Sequence, residues 1–377
     1  MQTDYDIAIV GGGLAGLAAS IQLSKKGYRV VLLEKESYPF HKVCGEYISL
    51  ESWNFLTSLG MNLEQLHLPL INTLQLTAPN GNQLTTGLPL GGFGISRYLL
   101  DNSLAEIAQA CGVTLLQKTK VDDVVRVDGA YRVLSSGQTI TARLVCGSFG
   151  KRSNLDVKWN RPFVHQHADR LSNYIGVKYH VKTAWPEHVI GLHNFKDGYC
   201  GISKIENNTY CLCYITKAKN LKDSGNNIAQ MQQQILFQNP HLKNLFLQSE
   251  FLPGFPVTIS QISFRQKTKV ENSMLMLGDA AGMITPLCGN GMSIALHTSK
   301  IAANLVDQYL QKQIDSSELA AQYSRQWQQQ FASRLRTGRL LQSFFGSNRL
   351  SNLLVATFKT FPFLAKPFIS TTHGKPF

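Results

Sequence analysis

One stretch near the N-terminus, Tyr5–Glu34, constrains this chain more than any other. Tyr5–Val10 is a short apolar run with β-branched residues and strand length. Gly11-Gly12-Gly13-Leu14-Ala15-Gly16 follows, and Leu17, Ile21 and Leu23 then recur at helix-like spacing. Gly27 is a natural helix stop, and Tyr28–Leu33 reads as a buried parallel strand that ends on Glu34. Strand, glycine turn, helix, strand and terminal acid together form a dinucleotide-binding fingerprint. Gly11 permits the tight turn. Gly13 lets a pyrophosphate reach the helix N-terminus, where unpaired amides and the helix dipole favour an anion. Gly16 lets helix and strand pack closely, and Glu34 can accept hydrogen bonds from ribose hydroxyls.

The remaining chain reads as a discontinuous domain with an insertion. Pro39 and Gly45 make Lys35–Glu46 a loop, and a helix follows from about Ser49 to Leu59, closed by Gly60. Pro79-Asn80-Gly81 sits between strand-like runs as a hairpin turn. Arg97 to Ala110 has helical periodicity, and Val113 to Cys146 reads as a strand followed by a small antiparallel meander. A second glycine loop runs from Gly147 to Asn154. From about Asp156 to Gln266, longer segments such as Tyr174–Val181, Gly198–Ile205 and Thr209–Ile215 suggest an inserted antiparallel sheet. Met274–Leu277 is another apolar strand, Gly278-Asp279 follows, and a helix begins near Met292.

Four of these stretches, in this order, carry a family resemblance: the opening fingerprint, Arg97 at a helix start, the loop at Gly147–Ser153, and Gly278-Asp279 with its glycine-rich sequel. Together they resemble flavin-dependent oxidoreductases of the glutathione-reductase-like class with a para-hydroxybenzoate-hydroxylase-type fold. Tyr38–Glu46, Gly198-Tyr199 and Pro286–Gly291 are most similar to the geranylgeranyl-reductase branch and its monooxygenase relatives. The resemblance spans roughly residues 4 to 310. It implies an α/β fold: a glutathione-reductase-like FAD-binding Rossmann domain, an inserted antiparallel β-sheet substrate domain and a C-terminal helical segment. The expected FAD-binding domain takes residues 1–70, 91–155 and 267–312, the substrate sheet 71–90 and 156–266, and a basic helical tail 313–377.

The resemblance also implies a set of site residues. Leu14, Ala15 and Gly16 sit at the FAD pyrophosphate, with Glu34 and Lys35 at the adenosine ribose. Arg97 contacts the FAD chain, since a guanidinium pairs with phosphate. Val121 meets adenine through its backbone, and Gly278-Asp279 meets the ribityl chain. Gly289, Gly291 and Met292 pass beside the isoalloxazine ring. NAD(P)H is the implied electron donor. Cys44 is the candidate catalytic side chain, a thiol facing the flavin, although most of the chemistry belongs to the flavin itself. Glu46 reads either as an acid/base group or as a cap for the helix near Ser49, and Cys211 and Cys213 read as core packing.

The chain departs from its relatives in three places. Ser148-Phe149-Gly150 stands where Ala-Asp-Gly is usual, and Cys44-Gly45-Glu46 stands where Cys-Gly-Gly is usual. No Trp-x-Trp-x-Ile-Pro signature occurs, which disfavours halogenation. The implied activity is FAD-dependent oxidation or reduction of a hydrophobic substrate, isoprenoid, lipid-like or polyketide-like. Hydroxylation is the first reading, double-bond reduction the alternative, and flavin binding without turnover a third.

Composition adds bounds. The net charge is +13, and after Glu318 there are eight basic residues and no acidic one. Leu319, Tyr323, Trp327, Phe331 and Leu335 follow at steps of four, one face of a helix expected to pack on the body of the protein. The apolar runs beyond it suit peripheral membrane contact or a lid. No nucleic-acid recognition motif occurs, and the seven scattered cysteines and few histidines show no metal-ligand spacing. No apolar run reaches the roughly 18 residues of a membrane span. The N-terminus enters a strand almost at once, and a cytoplasmic protein with reduced thiols is the expectation.

Overall fold

The computed structural model describes residues 3–165, 173–283, 290–345, 347–361 and 374–377. Two sheets carry the architecture. In the first, Met274–Met276, Gln138–Gly147, Tyr5–Val10, Val30–Leu33 and Thr114–Leu116 lie side by side in that order, all parallel. Val121–Val127 and Ala130–Ser135 add the expected antiparallel meander at its edge. The inner strands are continuous apolar runs because both faces are covered: Ile7, Ala8 and Ile9, and their neighbours Val31 and Leu32, have no exposed surface.

The helix Leu14–Lys25 packs between Arg97–Ala110 and Gly291–Leu310. It is buried from Leu14 through Ile21, and Ala15, Gly16, Ala18 and Ala19 keep it thin enough to be enclosed. Arg97–Ala110 has the predicted bounds, because Ser96 caps it by accepting from Leu99 N at 3.0 Å and Gly112, at φ +90°, turns the chain out of it.

The second sheet has nine strands. Glu250–Phe251, Tyr174–Lys182, Thr209–Lys217, Gly198–Ile205, Val189–Phe195, Leu70–Thr77, Gln83–Gly94 and Tyr47–Ser49 run across it, with Val257–Ile262 also on Tyr174–Lys182. All pairs are antiparallel except Val189–Phe195 with Leu70–Thr77. The hairpin at Ala78–Asn82 closes through Gly81 N to Ala78 O at 2.9 Å. The sheet reaches beyond the expected segments: it takes in Tyr47–Ser49, and Gln83–Gly94 runs past residue 90. A three-residue strand is too short to show a period, which is why Tyr47–Ser49 has no signal in the sequence.

The expected helix near Ser49 is a 3₁₀ turn, Leu50–Ser52, followed by Trp53–Leu59 with Gly60 at φ +113°. The long helix Ser316–Phe345 buries Leu319, Tyr323, Trp327, Phe331 and Leu335, the step-of-four face, against the body. Tyr323 Oη donates to Met276 O at 2.6 Å, which fixes that helix to the first sheet. A last helix, Asn348–Thr360, lies on the second sheet.

Candidate functional site

The two sheets meet around a cavity of about 190 Å³ that opens to solvent. Its nucleotide end is built by the opening fingerprint. Gly11 has φ +105°, and a Cβ there would lie 2.7 Å from the Ser148 carbonyl carbon, so the second glycine loop closes directly on the first. A Cβ at Gly16 would lie 2.1 Å from Gly11 O, the close helix–strand approach that the motif anticipates. Gly13 caps the helix without a side chain, leaving the first-turn amides for a ligand.

Around this turn stand the expected charges. Glu34 accepts from Gly12 N at 2.7 Å and Glu36 N at 3.1 Å, which places its carboxylate beside the glycine turn. Arg97 Nη2 is 3.9 Å from where a Gly13 Cβ would sit. Its guanidinium grips Asp101 in two hydrogen bonds of 2.7 Å, and Lys42 Nζ joins the same carboxylate at 3.0 Å. Two cations on one carboxylate leave a net positive charge at the helix N-terminus, which suits a pyrophosphate. Thr119 N donates to Glu34 O at 2.8 Å, two residues before Val121, whose own carbonyl accepts from Asn154 Nδ2 at 3.2 Å. Lys35 lies outside this arrangement: its side chain is exposed and pairs with Glu36 at 3.7 Å.

Further along, the cavity is lined by Gly278, Asp279, Gly291 and Met292. Gly278 is at φ +55°, and a Cβ there would press to 3.3 Å on Ala15 and Ala295. Gly289 lies outside the described residues. The far wall is the second sheet, through Ile190, Leu192, Tyr199, Ile202, Ile215 and Ile262. A glycine turn on a helix N-terminus, a nearby guanidinium, a ribose-side carboxylate and a glycine-flanked cleft fit FAD.

Between the two ends runs a strap, Lys42–Glu46, in which the carbonyls of Lys42–Gly45 are each held by a different side chain. Lys178 Nζ donates to Lys42 O at 3.2 Å, Lys151 Nζ to Val43 O at 3.1 Å, Cys211 Sγ to Cys44 O at 3.2 Å, and Ser203 Oγ to Gly45 O at 3.1 Å. The strap ends in Glu46, at φ +56° with no exposed surface. Its carboxylate meets Lys178 Nζ at 2.5 Å and His180 Nε2 at 2.6 Å, and accepts from Arg97 N at 2.8 Å. Burial pushes the Glu46 carboxyl up, but Lys178 and His180 outweigh it and hold the group below its ordinary range. Burial likewise pulls the Lys178 ammonium down, and Glu46 more than offsets this, leaving it raised. Glu46 is therefore an internal anchor. The helix near Ser49 is served by Ser49 itself, which accepts from Glu51 N.

Cys44 is half-buried and lines the cavity, as expected for a thiol on the flavin side. Cys211 is buried in the core, as expected, and its thiol also ties down the strap, whereas Cys213 departs from the expectation of core packing and lines the cavity. Glu46, His180 and Cys211 offer ligand atoms within 4.8 Å of one another, but the Lys178 ammonium already occupies the carboxylate they share. Lys151, Lys178, His180 and Ser203 were not foreseeable as site residues, because they join the site only through pairing between distant segments.

Fold and site define a two-sheet flavoprotein of the dinucleotide-binding class. The family described as FAD binding domain matches residues 4–335, and the chain belongs to it. It is an FAD-dependent oxidoreductase of the group that includes geranylgeranyl reductases. Conditioned medium factor receptor 1 of Dictyostelium discoideum is 23% identical, the match covering 87% of this chain and 68% of that protein. Digeranylgeranylglycerophospholipid reductase of Methanococcus vannielii is 23% identical over 87% of this chain and 83% of its own. Among solved structures, the flavin-dependent brominase Bmp2 superposes with a TM-score of 0.78 at 19% identity, covering 98% of this chain and 93% of that one. At that identity the likeness is one of fold. No described helix is long and apolar enough to cross a membrane.

Proposed function

We propose that this oxidoreductase saturates a carbon–carbon double bond in an isoprenoid or lipid-like substrate, with NAD(P)H as the source of electrons. The observation that carries this reading is the cavity, in which an aliphatic sheet wall faces a strap that carries a thiol. Reduced FAD, when bound, supplies a hydride equivalent. The residues of the chain bind, orient and protonate. Ile190, Leu192, Ile202 and Ile215 give an apolar substrate a dry surface. Cys44 Sγ holds the proton that the second carbon takes, so hydride and proton together complete the saturation. The clamped carbonyls of Lys42–Gly45 keep that thiol at one position. Similarity to a reductase of a digeranylgeranyl lipid, covering most of both chains, supports the same substrate class. The basic, partly apolar C-terminal helices fit delivery of such a substrate from an anionic membrane surface.

Hydroxylation of an electron-rich aromatic is the second reading. Tyr47 favours it: the residue lines the cavity, and its buried hydroxyl has no hydrogen-bond partner among the described residues, leaving it for a phenolic substrate. The two readings divide on oxygen. The purified, flavin-loaded protein is mixed with NADH or NADPH and a geranylgeranyl lipid without oxygen, and the product is weighed by mass spectrometry. A gain of two hydrogens per bond supports reduction. No gain, together with oxygen uptake stimulated by a phenolic substrate in air, overturns it in favour of hydroxylation.

A further inference from the structure

Behind Asp279, three cations hold three consecutive carbonyls. Lys267 Nζ donates to Asp279 O, Arg161 Nη2 to Ala280 O and Lys269 Nζ to Ala281 O, each at 3.0 Å. Lys267 Nζ also donates to Lys151 O at 2.9 Å, so its ammonium bridges two residues of the cavity wall. Arg161 is paired with two carboxylates, Asp156 at 2.7 Å and Glu271 at 3.3 Å. The lysines have no direct pair: among the described residues no carboxylate lies within ion-pair distance of either. Lys267 is nearly fully buried, 4.6 Å from the Phe163 ring centre, and Lys269 is half-buried, 3.9 Å from that of Trp327.

Burying an ammonium without a counter-charge costs several kcal/mol per ion in typical cases. A neutral amide or hydroxyl would serve the same carbonyls without that cost. The positive charge therefore has a use beyond the hydrogen bonds, and the wall it stands behind is the one expected to face the flavin. We propose that Lys267 and Lys269 are positioning residues that fix the Asp279–Ala281 turn and favour the reduced, more negative form of bound FAD. The inference rests on FAD occupying this cavity; the lysines act as charge placed behind the wall expected to meet its ribityl chain, one of the levers by which a protein tunes a cofactor.

The surroundings set a pH dependence. Burial pulls both ammonium groups down to about 8. Asp156 and Asp279 support the charge on Lys267 while Arg161 opposes it. Lys269 is opposed by Arg161, Arg339 and Lys267. Both lysines thus lose charge as pH rises through about 8, and their influence on the flavin fades with it.

The test is a dye-coupled reductive titration of the FAD-loaded protein, comparing wild type with Lys267→Met, Lys269→Met and Lys267→Arg. Each methionine variant is expected to lose about ten-fold in preference for reduced over oxidised FAD, a fall of about 30 mV for a two-electron couple. Lys267→Arg keeps the charge and should stay near the wild-type potential. The gap between wild type and Lys269→Met should narrow as pH passes from 7 to 9. Lys269 is only partly buried, so its variant carries the test if Lys267→Met fails to fold. Methionine variants that load FAD with an unchanged potential overturn the proposal. A wild-type protein that takes up no FAD overturns the cofactor assignment instead, so the two failures are distinguishable.

Discussion

Asp279 stands on the cavity wall with its backbone carbonyl already taken by Lys267, and its carboxylate is the group proposed to meet the ribityl hydroxyls. A hydrogen bond to a charged group is worth roughly 1.5–3 kcal/mol. Asp279→Ala should therefore weaken FAD binding about ten- to hundred-fold, read from flavin absorbance after gel filtration; full occupancy would remove Asp279 from the site. Cys44 belongs to the next step. If its thiol delivers the proton, Cys44→Ala should slow double-bond reduction about a hundred-fold or more, the usual worth of general acid catalysis. Flavin loading and flavin reduction by NAD(P)H should both survive, and a Cys44→Ala enzyme of wild-type turnover would end its candidacy. Glu46 was legible only as an acid/base group or a cap for the helix near Ser49. Its actual role depends on Lys178 and His180, more than 130 positions away. Glu46→Gln leaves the Lys178 ammonium buried without its partner, which should destabilise the fold by about 3–5 kcal/mol. Urea unfolding measures this, and a loss under about 1 kcal/mol would mean the anchor is not needed.

Elements bounded by local chemistry are readable from sequence. Arg97–Ala110 has Ser96 and Gly112 at its ends, and the turn at Gly81 is set by the φ > 0 that glycine allows. Pairing between distant strands is not readable: nothing in Val189–Phe195 indicates a parallel partner at Leu70–Thr77, because register leaves no local pattern. The tail lies between these cases. Its step-of-four face announces the docking of Ser316–Phe345, whereas the next helix needs the structure. Asn348–Thr360 buries Ser351, Val355 and Phe358 and exposes Leu350 at 42% and Leu353 at 64%, with Phe361 just beyond and Arg349 and Lys359 also exposed. Exposed leucines with flanking cations fit an anionic lipid surface. The full-length protein should float with anionic vesicles and not with neutral ones. Replacing Leu350 and Leu353 by Ser should cut that binding at least about ten-fold, since each fully buried Leu contributes roughly 1.5–3 kcal/mol. Equal flotation of the variant would exclude this helix as the contact.

On the scale of the whole molecule, the nucleotide end was legible because its centre is one continuous stretch, from the Gly11–Gly16 turn to Glu34, which Arg97 and the second glycine loop at Ser148 then join. The substrate end was not, because it is assembled from the strap at residues 42–46, from Lys151, and from strands contributing Lys178, His180, Ser203, Cys211 and Cys213. Its wall continues into a polar layer on the other side of the second sheet. There His193, with no exposed surface, meets Thr77 Oγ1 at 2.9 Å, and Asn239 Nδ2 donates to the same Oγ1 at 2.9 Å. Burial and then His241 hold the His193 imidazole down to about 3. His41, beside the strap, is held to about 4 by burial, then Lys178 and His180, and His297 to about 4 by burial, then Arg334 and Lys300. In the unfolded chain each titrates near 6.5. Between about 6.5 and 4 the unfolded state therefore binds more protons than the folded one, and stability falls as pH falls through that window. For the fully buried His193 the loss approaches about 1.4 kcal/mol per pH unit. His193→Gln retains a polar side chain without an ionisable ring and should flatten the slope by about that much between pH 6 and 5. Urea midpoints across this range decide the matter: a variant as pH-sensitive as wild type would mean that His193 is not a source of the acid sensitivity.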